Sequence, residues 1–301
     1  MSQFGNFHDF CRDSTLPVCN IFAQNGLQFD GGIEKSCELK GFAAGDRNIR
    51  NLGTVLLCAV ALIVTAILYW RSERKKAAVG RREMQVLLCA YALVSMTEMF
   101  SVGGFLQDRK VLVWFSAIHI GAIAATFWTL LINAIVGYQL MDDGTVLSVG
   151  LTIFSAVCVF LGVAYIGVDS GINYTGEFVV QNRAELKNYA LYVCYLLFPL
   201  LACVAFFILE AMLCLKVLKE TRPLVLLTIS AFLFIISQIF QFVASVHICN
   251  ATAGKIDGAL FETFTVLLAV VTLWFFWSSI TEDEWPDDPM NSTIQSEQAY
   301  A

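Results

Sequence analysis

Five ionisable side chains sit inside or at the rims of long apolar stretches: Glu98, His119, Glu210, His247 and Glu262. Charge in hydrocarbon is expensive, so each is a candidate for proton transfer, ion passage or substrate contact. A proton relay needs several such groups on facing helices, and a transporter would bring Glu98, His119 and Glu210 to line one cavity. The plainer alternative has Glu98 and Glu210, near opposite ends of their stretches, reaching an interface or bonding a neighbouring helix. Metal chemistry finds less support. The three histidines, His8, His119 and His247, fall in three separate regions and lack HExxH-type spacing. No GxSxG elbow, Walker loop or dinucleotide glycine pattern is present. Asp142-Asp143 are adjacent acids on a short turn, where such pairs are usually solvated. The chain is therefore read as no enzyme, with no catalytic residue, cofactor or metal ligand assigned.

Uncharged polar groups recur at helical spacing. Ser237, Gln241 and Ser245 stand four residues apart, with Gln238 beside them. Such a stripe faces other helices and hydrogen-bonds across them. It could equally receive a transmembrane helix from another protein, which makes these four residues candidate client contacts. Ala117, Gly121 and Ala125 form a ridge of small residues suited to close helix packing.

The elements that carry these residues are seven apolar stretches: Leu52–Trp70, Met84–Gly104, Val111–Tyr138, Val146–Val168, Tyr189–Leu215, Pro223–His247 and Ala259–Ile280. A bilayer core of roughly 30 Å needs about 20 mostly apolar residues in helical form. The stretches lack the period-two alternation of barrel strands, so helices are the remaining way to satisfy the backbone in lipid. The expected fold is an all-α integral membrane protein. It comprises a seven-transmembrane helix bundle, a lumenal cysteine-containing N-terminal segment (1–50) and an acidic cytosolic tail (281–301, read as disordered). The bundle itself covers residues 51–280. A composition of 57% apolar and 15% charged residues agrees with this.

The formal charge of −6 is local. All of the excess lies after Ile280, in Glu282, Asp283, Glu284, Asp287, Asp288 and Glu297. A chain otherwise balanced in charge has no basic patch for nucleic acid, and none is expected as a partner. Orientation follows the Lys/Arg bias of the short loops. Arg71, Arg74, Lys75, Lys76, Arg81 and Arg82 crowd the first loop, and Lys216, Lys219 and Arg222 the fifth. The opposite loops carry Arg109, Lys110, Arg183, Lys187 and Lys255. The first loop is therefore assigned to the cytosol and the N-terminal head to the lumen. No long apolar run precedes residue 50, so span one is expected to act as an uncleaved signal anchor. The loop after span four is expected to hold a short helix at Gln181–Leu186.

Two features agree with that orientation. Glycosylation sequons at Asn173 and Asn250 fall in the lumenal loops, whereas a third at Asn291 falls in the tail. Cys11, Cys19, Cys37 and Cys249 also share the lumenal side, giving material for two disulfides whose pairing the spacing leaves open. The remaining six cysteines lie within or beside spans as small apolar packers. A seven-helix receptor is a rival reading, but span three ends GYQLMDD rather than in an acidic-Arg-Tyr triplet. Span seven, FETFTVLLAVVTLWFFWSSI, has neither Asn-Pro-x-x-Tyr nor a Schiff-base lysine.

The segments outside and between the spans resemble those of fungal chitin synthase export chaperones. The resemblance runs through FGNFHDFCRDSTLPVC (4–19), GIEKSC ending at Cys37, AVGRREM (78–84), WTLLINAIVGYQLMDDGT (128–145), HIC…DGALF (247–261) and the TEDEW close. The pieces occur in matching order over nearly the whole chain. The approach to span one, GFAAGDRNIRNLGT, is looser, and the loop around Asn173 is individual. The resemblance implies a multi-pass endoplasmic reticulum membrane protein that helps a chitin synthase fold and leave for the cell surface, without being the synthase. It implies chitin synthase as client and the bilayer as solvent. Glu282-Asp283-Glu284 suits an acidic-x-acidic export signal read by coat proteins. A transporter or lipid-translocating protein is the first alternative function, a receptor the second.

Overall fold

A computed structural model describes residues 4–24, 28–29, 36–44, 47–75, 78–139, 144–180 and 186–281. Among these, seven helices are long and apolar enough to cross a membrane. Span one is Leu52–Arg74, span two Arg81–Val102, span three Arg109–Gly137 and span four Val146–Ile172. Span five is Tyr189–Leu218, span six Thr221–Ala251 and span seven Gly258–Ser279.

Polar residues fix where several of these helices begin, because the first backbone N–H groups of a helix need acceptors. Asp108 accepts from Lys110 N at 2.7 Å and Val111 N at 3.3 Å ahead of span three. Thr145 Oγ1 accepts from Ser148 N at 3.2 Å ahead of span four. Asn188 Oδ1 accepts from Leu191 N at 3.0 Å ahead of span five. Several helices run past the apolar stretches into charged sequence. Span one continues to Arg74, whose guanidinium lies 3.7 Å over the Trp70 ring. Long basic side chains keep their stems on apolar surface while the charge stays wet, so a helix need not stop at them.

The exterior is apolar, as lipid requires. On span one, Leu56, Val60, Ile63 and Ile67 point outward at helical spacing, while Cys58, Ala61, Thr65 and Leu68 are buried. Small and polar residues thus mark the packed face, as is usual between membrane helices. Span three is the most buried span and packs on spans two, four and five. Its pairing with span four is the most extensive and rests on the small-residue ridge. A Cβ on Gly121 would lie 2.7 Å from the Phe160 carbonyl, and one on Gly167 of span four 2.9 Å from Ala117 Cβ. Span seven packs extensively on span six, whereas its contact with span one and the contact between spans five and six are both sparse. Both of these carry π-helical turns, at Val193–Leu197, Leu213–Leu218 and Phe240–Ala244.

The head is more than a stapled appendage. Short helices His8–Asp13 and Cys19–Phe22 bury Phe7, Cys11, Val18, Ile21 and Phe22 in one apolar cluster with Ile120, Val163 and Leu191 of the bundle. Two short antiparallel hairpins, Ala23–Gln24 with Gln28–Phe29 and Phe42–Ala44 with Arg47–Ile49, add strands to an otherwise helical chain. Residues 181–185 of the short helix expected at Gln181–Leu186 lie outside the described residues. Leu186 itself is buried, with φ of 50°, and is not helical. Asp142-Asp143, the acidic tail with Glu282, Asp283 and Glu284, and Asn291 also lie outside the described residues.

Candidate functional site

Among the described residues, cavities open at both ends of the bundle. The first, of about 280 Å³, lies among spans two, three, five, six and seven, with Leu16-Pro17 of the head also in its lining. Its polar lining comes from Glu98, His119, Gln238, Gln241 and Glu262 together with the hydroxyls of Thr126, Ser230, Thr263, Tyr91 and Tyr195, and the rest is mostly aliphatic and aromatic. Span two brings Glu98 near its C-terminal end, and span seven brings Glu262 one turn from its start. The Thr263 hydroxyl lies 3.1 Å from Glu98 Oε1 and 3.4 Å from Glu262 Oε2. His119 of span three places Nδ1 3.0 Å from Thr97 Oγ1.

The second cavity, of about 250 Å³, lies at the opposite end of the bundle and is lined by Gly80, Asn133, Tyr138 and Glu210 among others. Glu210 is buried and its Oε2 has no hydrogen-bond partner. Leu87, Leu130, Phe206 and Leu273 wall both cavities, placing an apolar layer between them. Glu98 and His119 thus share a cavity, but Glu210 belongs to the other. The arrangement a transporter was expected to show, all three residues lining one cavity, is not the one observed. Glu98 bonds a neighbouring helix, as the plainer alternative held. His247 is exposed.

The span-six stripe is turned inward. Ser237, Gln241 and Ser245 are buried, and Gln238 is half-buried at the cavity wall. Ser237 Oγ donates within its own helix to the Phe234 carbonyl at 2.6 Å and accepts from Gln238 Nε2 at 3.1 Å. Ser245 Oγ accepts from Gly258 N at 3.2 Å, joining span six to the start of span seven. These side chains offer no lateral face to the lipid. Gln238 and Gln241 line the cavity, so a client reaching these two would have to enter it.

The four selected cysteines all join disulfides. Cys11 pairs with Cys19, folding the head on itself, and Cys37 pairs with Cys249, tying the head to the end of span six. Lys40 N donates to the Gly254 carbonyl at 2.9 Å beside the second bond. Arg12 forks onto Asp13 at 2.8 Å through both Nε and Nη2, which holds the Asp13 carboxyl below its ordinary pKa of 3.8. Asn173 and Asn250 are both exposed.

Three buried acids escaped the sequence reading. Asp257 accepts from Asn51 Nδ2 at 2.9 Å and from the Thr15 hydroxyl, joining head, span one and span seven. Asp169 accepts from the backbone N–H groups of Thr175, Gly176 and Phe178 at 2.5, 2.9 and 2.7 Å, shaping the loop after span four. Glu83 accepts from Ser148 Oγ at 2.7 Å and Gly144 N at 3.2 Å. Each sits at a span boundary, where an acid reads as an ordinary loop residue. An acid just before a Gly- and Thr-containing loop, as at Asp169, is the available signal, since such loops free N–H groups for capture. Among the described residues, no three His, Cys, Asp or Glu side chains gather in a group that could hold a metal ion.

The sequence profile of the chitin synthase export chaperones (Chs7) matches residues 3–291. Proteins named chitin synthase export chaperone are similar over nearly the whole chain. The one from Cryptococcus neoformans var. neoformans serotype D is 28% identical over 94% of this chain and 76% of its own. That from Coccidioides immitis is 28% identical over 94% and 84%, respectively. That from Gibberella zeae is 27% identical over 100% and 94%.

Proposed function

The chain belongs to the chitin synthase export chaperone family, and from that premise we propose that it assists the folding and export of a chitin synthase from the endoplasmic reticulum. The observation that carries this is a profile match spanning both head disulfides and all seven spans, rather than one motif. Most polar groups inside the bundle bond its own elements, with Glu210 Oε2 and Gln241 Oε1 left without partners, and the outer surface is aliphatic and aromatic. A chaperone for a membrane client works through such a surface, shielding client helices by lateral contact. Leu147, Leu151, Phe154 and Leu161 of span four form one exposed apolar face of this kind.

The head is assigned to the lumen and the tail to the cytosol. Two disulfides fit an oxidising compartment, and the basic loop after span one lies on the face opposite the head. Asn173 and Asn250 are then accessible for glycosylation. Residues 1–50, 51–280 and 281–301 are the lumenal, membrane and cytosolic parts, with the head's apolar cluster seated on the membrane part. Glu282-Asp283-Glu284 serves as a coat-protein signal in this reading.

The test is deletion of the gene in its own organism. The synthase should accumulate in the reticulum, with cell-wall chitin reduced. Normal surface synthase in the deletion strain would end the proposal. Replacing Glu282, Asp283 and Glu284 with Ala should slow export while leaving association with the synthase intact.

A further inference from the structure

The larger cavity brings two carboxyl groups to one hydroxyl and leaves one buried amide oxygen in its lining without a donor. Thr263 has a single hydroxyl proton, yet its Oγ lies 2.8 Å from the Ala259 carbonyl, 3.1 Å from Glu98 Oε1 and 3.4 Å from Glu262 Oε2. Gln241, only 6% exposed, lines the same cavity, and its Oε1 has no hydrogen-bond partner. Two carboxyl groups this close in a medium of low dielectric cannot both ionise unless a cation joins them. A buried amide oxygen likewise calls for a donor.

A bare metal ion suits the site poorly, because its further oxygens belong to neutral side chains such as Thr126, Ser230, Tyr91 and Tyr195 and its other walls are hydrocarbon. Those walls suit an alkyl chain. Leu200 of span five lines the cavity while being 58% exposed on the lipid-facing side. It stands where spans five and six touch only sparsely, so a chain has a lateral way in. A primary ammonium carries three N–H donors and one positive charge. Those match two carboxyl groups that can share one proton, together with one amide oxygen.

We propose that this cavity binds the primary ammonium group of a single-chain amphiphile entering from the bilayer, with Glu98, Glu262 and Gln241 Oε1 accepting its protons. The alkyl chain lies toward Leu200, between spans five and six. This role is separate from the export reading and stands or falls without it.

The test uses the purified full-length protein in mild non-ionic detergent, with n-decylamine, decanol and decanoate as probes and the thermal midpoint as readout. Decylamine should raise the midpoint saturably, and the alcohol and acid at equal concentration should not. The double variant Glu98→Gln/Glu262→Gln should weaken amine binding by at least about tenfold, the loss of a charge-assisted contact. Gln241→Leu should raise the midpoint without amine, by removing the unpartnered oxygen, and still weaken amine binding about threefold or more. If the double variant does not fold, Gln241→Leu decides. Equal stabilisation by decanol, or unchanged amine affinity in a folded variant, overturns the proposal.

Discussion

Loss of the Cys37–Cys249 bond should destabilise the protein more than loss of Cys11–Cys19, and loop length sets the expected difference. The two bonds close sequence separations of 212 and 8 residues. Chain-entropy loss on cross-linking gives about 5 kcal/mol for the long loop and about 2.5 kcal/mol for the short one. The long-loop figure is an upper bound. Spans one to six stay inserted in the unfolded ensemble and already confine both cysteines to one membrane face, so an expected loss of about 3–5 kcal/mol is more apt. At roughly 2–4 °C per kcal/mol, Cys37→Ser/Cys249→Ser should lower the thermal midpoint by about 6–20 °C. Cys11→Ser/Cys19→Ser should lower it by about 5–10 °C. The measurement is tryptophan fluorescence on heating the detergent-purified protein, which carries Trp274 and Trp277 in one apolar cluster. A smaller fall for the Cys37–Cys249 pair than for Cys11–Cys19 would refute the loop-entropy reasoning. It would show that burial of Cys11 and Cys19 in the head, rather than chain closure, governs the difference.

Three further outcomes follow from contacts already described. Gly258→Ala places a Cβ 2.1 Å from the Phe240 carbonyl and 2.8 Å from Ser245 Cα, both backbone, so little folded protein should survive detergent extraction, as size-exclusion chromatography would show. Ser148→Ala removes a donor to buried Glu83 and should cost about 1–3 kcal/mol; an exposed control, Thr228→Ala, should cost less than about 0.5 kcal/mol by the same thermal assay. Asp13 contributes stability above its ordinary pKa of 3.8 and loses it as pH falls through the lower folded value. The midpoint difference between the protein and Asp13→Asn should therefore be present at pH 7 and shrink as the pH is lowered below about 4.

The spans were legible because lipid imposes length and composition together, and no other element meets both conditions. Their ends were less so. A hydropathy reading stops at Trp70, whereas the helix continues while basic side chains lean back along it. The π-helical turns in spans five and six left no trace in composition, since they insert a residue into a helix without changing its residue types. The cysteine set was visible and its pairing was not, because pairing depends on how the head folds over the bundle. The inward turn of Ser237, Gln241 and Ser245 was legible as spacing, but whether the partner would be span seven or another protein required the packed bundle. Glu262 read as a residue near the rim. Its closeness to Glu98, 164 positions earlier, comes only from spans two and seven meeting at Thr263. Glu83 and Asp257 show the same limit, because acids beside a span look alike whether they face water or a hydroxyl.

The Cys37–Cys249 bond also has a schedule. Cys37 emerges before any span and must wait until span six has been made and inserted, because Cys249 lies in its last turn. At about 5–20 residues per second, that wait lasts roughly 10–40 s. Throughout it Cys37 is a free thiol open to wrong partners, while Cys11 and Cys19, eight residues apart, can pair almost at once. Closing the second bond therefore records that six helices have been delivered in order. An oxidoreductase that senses the remaining thiol would have a chemical mark of an unfinished molecule.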